Sequence, residues 1–231
     1  MKSDGPTRYF EARLLLCEFS HRINNEFAFA IGMIAVAARS ANDEAKVALA
    51  AVADQLQNYA LVHRALQMPE YTGCIDAAAY LRELCRAISR SRLESKDIEL
   101  RLVVPGFQMN SERCWLLGLI LSELITNAER HAFRNSGGLI SVELRPSLSF
   151  VECRIMDNGM GEANTYPGRG LKIVEALAKS LGGTIGQRFG PHGATAVLIF
   201  PTEIDTTGVG QPNIEGLSGD YGGVFLSDPD D

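Results

Sequence analysis

From residue 8 to residue 41, apolar side chains recur at steps of three and four, through Ala12, Leu16, Phe19, Ile23, Phe27, Ala30, Ile34 and Ala37. That spacing follows one face of an α-helix and predicts a long amphipathic helix. Asn42, Asp43 and Glu44 supply a turn, a cap and an acidic first turn for a second helix. Its stripe runs through Ala45, Leu49, Val52, Leu56, Tyr59, His63 and Leu66, and Pro69 is expected to end it. Two long helices with a short connection form an antiparallel hairpin. The first helix carries a second apolar row, Leu14, Ala28, Ile31, Ala35 and Ala38. One partner helix cannot cover both rows. Two hairpins pairing into a four-helix bundle would, so the pattern predicts a homodimer, or a hairpin that leans on the rest of the chain.

The pattern changes after Ile75. Residues 76–92 read as a helix, DIELRLVVPG as a strand and turn, and residues 111–131 as a strongly apolar helix capped by Ser111. LISVELRP and FVECRIMD alternate as two strands of a hairpin. Residues 171–181 form a further helix that Gly182-Gly183 stops, and TIGQRF and TAVLIF a last strand pair. The expected class is α+β: a helical hairpin over residues 1–70, then an α/β sandwich over 71–202 with helices on one face of a mostly antiparallel sheet. Residues 203–231 are rich in Gly, Asp and Pro, a composition that predicts disorder.

Composition narrows the function. Apolar residues make up 46% of the 231, enough for a real core. The net charge of -6 carries no basic excess for nucleic acid, so no such partner is expected. Seven acidic residues and no Lys or Arg fall after residue 202, which leaves the rest near neutral. The five cysteines are scattered without a CxxC pair and read as reduced thiols in a cytoplasm, not as a zinc site. The longest apolar run, Phe27 to Ala38, is too short to cross a bilayer, and the charged N-terminal stretch is no signal peptide. Neither a membrane nor secretion is expected.

Four stretches carry chemistry. In LLLCEFSHRINN, His21 lies two residues from both Phe19 and Ile23, about 200° round a helix, and so points away from the apolar stripe. Its neighbours one turn away include Glu18, Asn24 and Asn25. An exposed imidazole with an acceptor nearby to fix its tautomer or take its proton is what a nucleophilic histidine needs. In ELITNAERHAF, Glu123 and Asn127 share a helix face and present two oxygens suited to Mg²⁺. In MDNGMGE, Asp157 ends a strand, and Gly159 and Gly161 let the backbone turn sharply towards a ligand. In PGRGLKIV, Gly168 and Gly170 precede a helix whose N–H groups attract phosphate. Taken singly, a glycine pair is only a turn, Asn127 only a solvated amide and His21 only a surface histidine. The other histidines read as structural: His63 as a core residue, His192 as an exposed turn residue.

In this order the last three stretches resemble the N box and the two glycine boxes of Bergerat-fold ATPases of the histidine-kinase form. The first resembles the His-Arg-x-x-Asn phosphoacceptor box, in which a Glu often stands three positions before the His. The resemblance spans most of residues 14–201. It implies that His21 is the phosphoacceptor, with Glu18 and Asn25 in its box, and that Asn127, beside Glu123, coordinates Mg²⁺. It further implies that Asp157 bonds the adenine amino group of ATP. Gly159, Gly161, Gly168, Gly170 and Leu171 would shape the nucleotide lid and phosphate loop, with His131 beside them. In the closing strand, where the family usually carries Gly-Thr, the chain has Gly193-Ala194. The implied activity is autophosphorylation of His21 from Mg-ATP and transfer to the aspartate of a response regulator receiver domain, with a separate sensor or input protein supplying the signal. Two other readings stay open: a histidine phosphotransferase that relays phosphate without ATP, and a binding module without phosphotransfer.

Overall fold

The computed structural model describes residues 5–69, 73–133, 137–160 and 169–202. Two helices open the chain, α1 (Gly5–Arg39) and α2 (Asp43–Ala65). Asn42 caps α2, its Oδ1 accepting from Ala45 N at 2.8 Å. The helix ends at Ala65, ahead of Pro69, where the Leu66 N–H turns back onto Val62 and Arg64 carbonyls. His63 Nδ1 lies 3.1 Å from Asn24 Oδ1 and so fixes the hairpin register. By that register, residues of α1 before about Arg22 extend past the last turn of α2. This is why Phe19, placed on the apolar stripe by its spacing, is 62% exposed. Val52 and Tyr59 are likewise exposed on α2.

The rest is a sandwich. β1 (Cys74–Asp76) leads into α3 (Ala77–Ile88), which Asp76 caps by accepting from Ala78 N and Ala79 N. A π-helical turn (Ser89–Leu93) and a 3-10 turn (Glu94–Lys96) bring the chain to β2 (Ile98–Val103), with Asp97 left-handed at φ 55°. β3 (Gln108–Asn110) pairs antiparallel with β1. These strands are three residues each, too short for alternation to reveal them.

α4 (Ser111–His131) follows. Asn110, not Ser111, is its cap: Asn110 Oδ1 accepts from Glu112 N at 3.0 Å and Arg113 N at 3.4 Å. β4 (Gly138–Pro146), β5 (Phe150–Asp157), α5 (Arg169–Ser180), β6 (Thr184–Gly190) and β7 (Gly193–Pro201) complete the order. The main sheet runs β2-β4-β5-β7-β6, with β2 parallel to β4 and the other pairs antiparallel.

Period two sets its faces. Ile140, Val142 and Leu144 are buried, as are Val151, Cys153 and Ile155, and Ala196, Leu198 and Phe200. They meet Leu117, Ile120, Leu121 and Ile125 of α4, all fully buried. Residues between them face the other side, where Glu143–Arg145 and Glu152–Arg154 form ion pairs within their strands. The segment 203–231, read as disordered from its composition, lies outside the described residues.

The hairpin leans on this sandwich. Trp115 Nε1 donates to Leu66 O at 2.9 Å, Tyr80 Oη to Ala65 O at 3.0 Å and Gln55 Nε2 to Ser91 O at 2.5 Å. No described helix is long and apolar enough to cross a membrane.

Loss of the α4 cap in Asn110→Ala should lower the free energy of unfolding by about 1 kcal/mol. Urea denaturation should show a lower midpoint with an unchanged slope, while Ser111→Ala should cost less than Asn110→Ala.

Candidate functional site

α4 is buried along one face, and the edge of that face carries Glu123 and Asn127, four residues apart and both half-buried. Helical spacing stacks the two side chains. The first turn of α5 arrives on them. A Cβ at Gly170 would overlap the Glu123 carboxylate and lie 3.5 Å from Asn127 Nδ2. Glycine lets the start of α5 seat there without displacing the Glu123 carboxylate, so Glu123, Asn127 and Gly170 meet at one place. Leu171, next in the same turn, is half-buried.

Asp157 ends β5 beside this arrangement, and its Oδ1 accepts from Gly159 N at 3.0 Å and Ala194 N at 3.2 Å. Gly159 sits against the end of α4, where a Cβ would overlap the Ala132 carbonyl, and Met160 N donates to the same Ala132 O at 3.1 Å. Gly193 opens β7 at φ 124°, and a Cβ there would strike the Asp157 carbonyl. Glycine is required on both counts. Since Ala194 contributes its backbone N–H, its missing hydroxyl does not affect this bond. Asn158 stitches the same corner. Its Oδ1 accepts from Leu139 N at 2.7 Å and its N donates to Leu139 O at 3.1 Å.

The structure thus brings Glu123, Asn127 and Gly170 together, and sets Asp157 and Gly159 at the adjoining corner. His131 is exposed at the last residue of α4. Gly161 and Gly168 lie outside the described residues. Sequence reasoning did not single out Asn158 or Ala132. The Asp-Asn-Gly run, rich in turn-forming residues, was the available signal for Asn158.

Among the described residues no group of three or more His, Cys, Asp and Glu could hold a metal alone. A cation at Glu123 and Asn127 would draw its remaining ligands from phosphate and water, as Mg²⁺ commonly does. The buried thiols are no rivals for the chemistry: burial pushes Cys85 and Cys114 up to about 12, and Cys153 upward as well.

His21 is exposed on α1, as its spacing predicted, and Asn25 is exposed too. Glu18 holds Arg22, accepting from its Nε at 3.1 Å, an exposed i,i+4 pair. The extensive packing of α1 is along α2, which leaves His21 on a different part of the molecule from the glycine boxes. His63, expected as a core residue, is half-buried between Asn24 and the Phe27 ring, 6.1 Å between centroids, and burial lowers its pKa. His192 is exposed in the turn between β6 and β7. A cleft of about 620 Å³ separates hairpin from sandwich, lined by residues including Tyr59, His63, Lys96 and Arg130.

Desolvation raises the Asp157 pKa, and the two backbone N–H bonds offset part of that. A carboxyl raised on folding favours the folded state fully only below its unfolded pKa, and the contribution is lost as pH rises through the folded value. At neutral pH the Asp157 charge therefore costs stability. Asp157→Asn keeps an oxygen for both N–H donors, so it should be more stable than the parent at pH 7, by a margin that shrinks as pH falls towards 4. Denaturant titrations at the two pH values check this; a less stable variant at pH 7 would contradict it.

Comparison with known proteins matches this geometry. Residues 18–92 match the HisKA_2 family model, described as histidine kinase. That range holds His21, Asn25, α2 and α3. The sensor histidine kinase PdtaS of Mycolicibacterium smegmatis is 26% identical over 195 residues, 79% of this chain and 38% of that protein. The blue-light-activated histidine kinase 2 of Erythrobacter litoralis is 26% identical over 220 residues, 87% of this chain and 60% of that protein. The chain thus spans less than two thirds of either relative. Among solved structures, the histidine kinase domain of Erythrobacter litoralis EL346 shares the fold at TM-score 0.54 and 22% identity, covering 85% of this chain and 95% of that one. The chain thus resembles histidine kinases over residues 18–92 and shares with a histidine kinase domain the fold of a helical hairpin joined to an α/β sandwich.

Proposed function

We propose that this chain is a histidine kinase core that uses Mg-ATP to phosphorylate His21 and passes the phosphoryl group to the aspartate of a response regulator receiver domain. The observation that carries the reading is the seating of Gly170 against Glu123 and Asn127, beside Asp157. The first turn of α5, whose backbone N–H groups can meet phosphate, lies against the two oxygens suited to Mg²⁺.

In this reading Asp157 accepts the adenine amino group with its second oxygen, while Gly159 and Ala194 hold the first. Asn127 and Glu123 hold Mg²⁺, which neutralises phosphate charge when bound. Gly170, Leu171 and the segment containing Gly161 and Gly168 shape the phosphate end. His21 attacks the γ-phosphorus with its unprotonated ring nitrogen: the N–P bond forms as the bond to ADP breaks. The proton left on the other ring nitrogen goes to Glu18, one turn away, once Arg22 yields it, with Asn25 orienting the ring. Such a reaction needs mostly positioning and charge neutralisation. The division at residues 70 and 202 follows the same roles.

Incubation with γ-labelled ATP and Mg²⁺ should give acid-labile, base-stable label. His21→Ala should abolish label and transfer but bind ATP normally. Label surviving in that variant would remove His21 from the role. Asp157→Ala should weaken nucleotide binding by roughly 1–3 kcal/mol. Asn127→Ala should chiefly remove the Mg²⁺ dependence of binding, by calorimetry with and without Mg²⁺.

Self-association rests on a separate observation. Phe29, Met33 and Val36 of α1 and Val47 and Val52 of α2 are at least half exposed, although the hairpin already leans on the sandwich. A second hairpin completing a four-helix bundle would cover them. Light scattering should report a dimer that Phe29→Glu with Met33→Glu converts to monomer; a monomeric parent would rule it out. We infer that this chemistry takes place in the cytoplasm, where ATP and receiver domains are found.

A further inference from the structure

The outer edge of the sandwich carries a groove that the phosphotransfer chemistry does not use. Arg82 and Arg86 of α3 and Arg90 of the π-helical turn recur every four residues and line one side, and Leu100 and Leu102 of β2 form its half-buried floor. β2 is the last strand of the sheet, so its outer edge is unpaired among the described residues. Arg82 Nη2 donates to Val104 O at 3.2 Å. The carboxylate at the groove is Glu94, which accepts from Ser89 Oγ rather than from an arginine.

We propose that this groove binds the acidic segment 203–231 of the same chain. Charge is the first argument, since the segment holds seven Asp and Glu and no Lys or Arg. Pattern is the second. Its one apolar cluster, Tyr221, Val224, Phe225 and Leu226, is flanked by Asp220 on one side and Asp228, Asp230 and Asp231 on the other. An apolar centre with acidic flanks matches a Leu floor with an Arg rim.

Reach is the third argument. β7 ends at Pro201, which pairs with Phe150 at the start of β5; Val151 pairs with Pro146 at the end of β4, and Glu143 with Val103 at the end of β2. The segment therefore leaves the sheet at the end where Arg82 lies. Three strand spacings, about 14 Å, separate β7 from β2. The stretch from residue 203 to the apolar cluster, near 20 residues, spans up to about 65 Å when extended. Tethering gives the segment an effective local concentration near the millimolar range, so a groove of modest affinity is filled. The inference is independent of the phosphotransfer reading, because it concerns a face away from both His21 and the nucleotide boxes.

Hydrogen–deuterium exchange on the full chain tests it. At low salt, peptides covering residues 221–231 should exchange about tenfold slower than a synthetic peptide of that sequence, the effect expected of a few screened ion pairs. The protection should disappear in Arg86→Glu with Arg90→Glu and at 0.5 M salt. It should return when Asp228→Lys, Asp230→Lys and Asp231→Lys are added to the double variant. Arg86→Gln with Arg90→Gln provides the same reading if the glutamates disturb folding. Free-peptide exchange in the parent, or protection that ignores the arginine changes, would overturn the proposal. Protection that grows with protein concentration would overturn it too, by assigning the groove to another copy.

Discussion

Burial of α4 is the constraint on which the rest of the structure depends. Its inner face, Leu117, Ile120, Leu121 and Ile125, is removed from water against the sheet. Each of these side chains contributes on the order of 1.5–3 kcal/mol by leaving solvent. Because that face is fixed, the residues along its edges are aimed without further choice. Glu123 and Asn127 point at α5. Trp115 reaches back to Leu66 of the hairpin, and Arg113 reaches the Pro201 carbonyl at the end of β7. Thr126 accepts from Arg92 at 3.1 Å, and Gly118 is bare because Tyr80 occupies the space of its side chain. The helix is a spine through which hairpin, sheet and site hold one another.

Around that spine the site is made by subtraction of side chains. Gly170 faces Glu123, Gly159 faces Ala132 and Gly193 faces the Asp157 backbone, each at a separation that a Cβ would violate. The approach puts two backbone N–H groups on one oxygen of Asp157 and partly desolvates its carboxyl. Desolvation raises its pKa and the two N–H bonds work against that rise.

The helical hairpin is held differently. Its contacts with the sandwich cluster at the end of α2 and along the π-helical turn, in the bonds of Gln55, Tyr80 and Trp115 and in Arg92 lying 6.0 Å from the Tyr59 ring centroid. The most extensive packing of α1 is on α2.

The sequence by itself determined the period of each long element and the residue types at the site. Residues 111–131 read as a helix because 21 positions of unbroken periodicity outweigh local ambiguity, and His21 read as outward because two helical residues subtend about 200°. The Asp157 and Asn127 motifs were legible in another way, through their order along the chain, which resembles the nucleotide boxes of histidine kinases.

What depended on contacts between elements was decided by the tertiary structure. Asn110 displaced Ser111 as the cap because β3 delivers its backbone in an extended conformation at that point. Phe19 is exposed because α2 stops before reaching it. β1 and β3 exist only as partners of one another. The meeting of Gly170 with Glu123, 47 positions apart, has no local signature. A glycine in a sequence shows that a side chain is absent, and only the packed chain shows what fills the space.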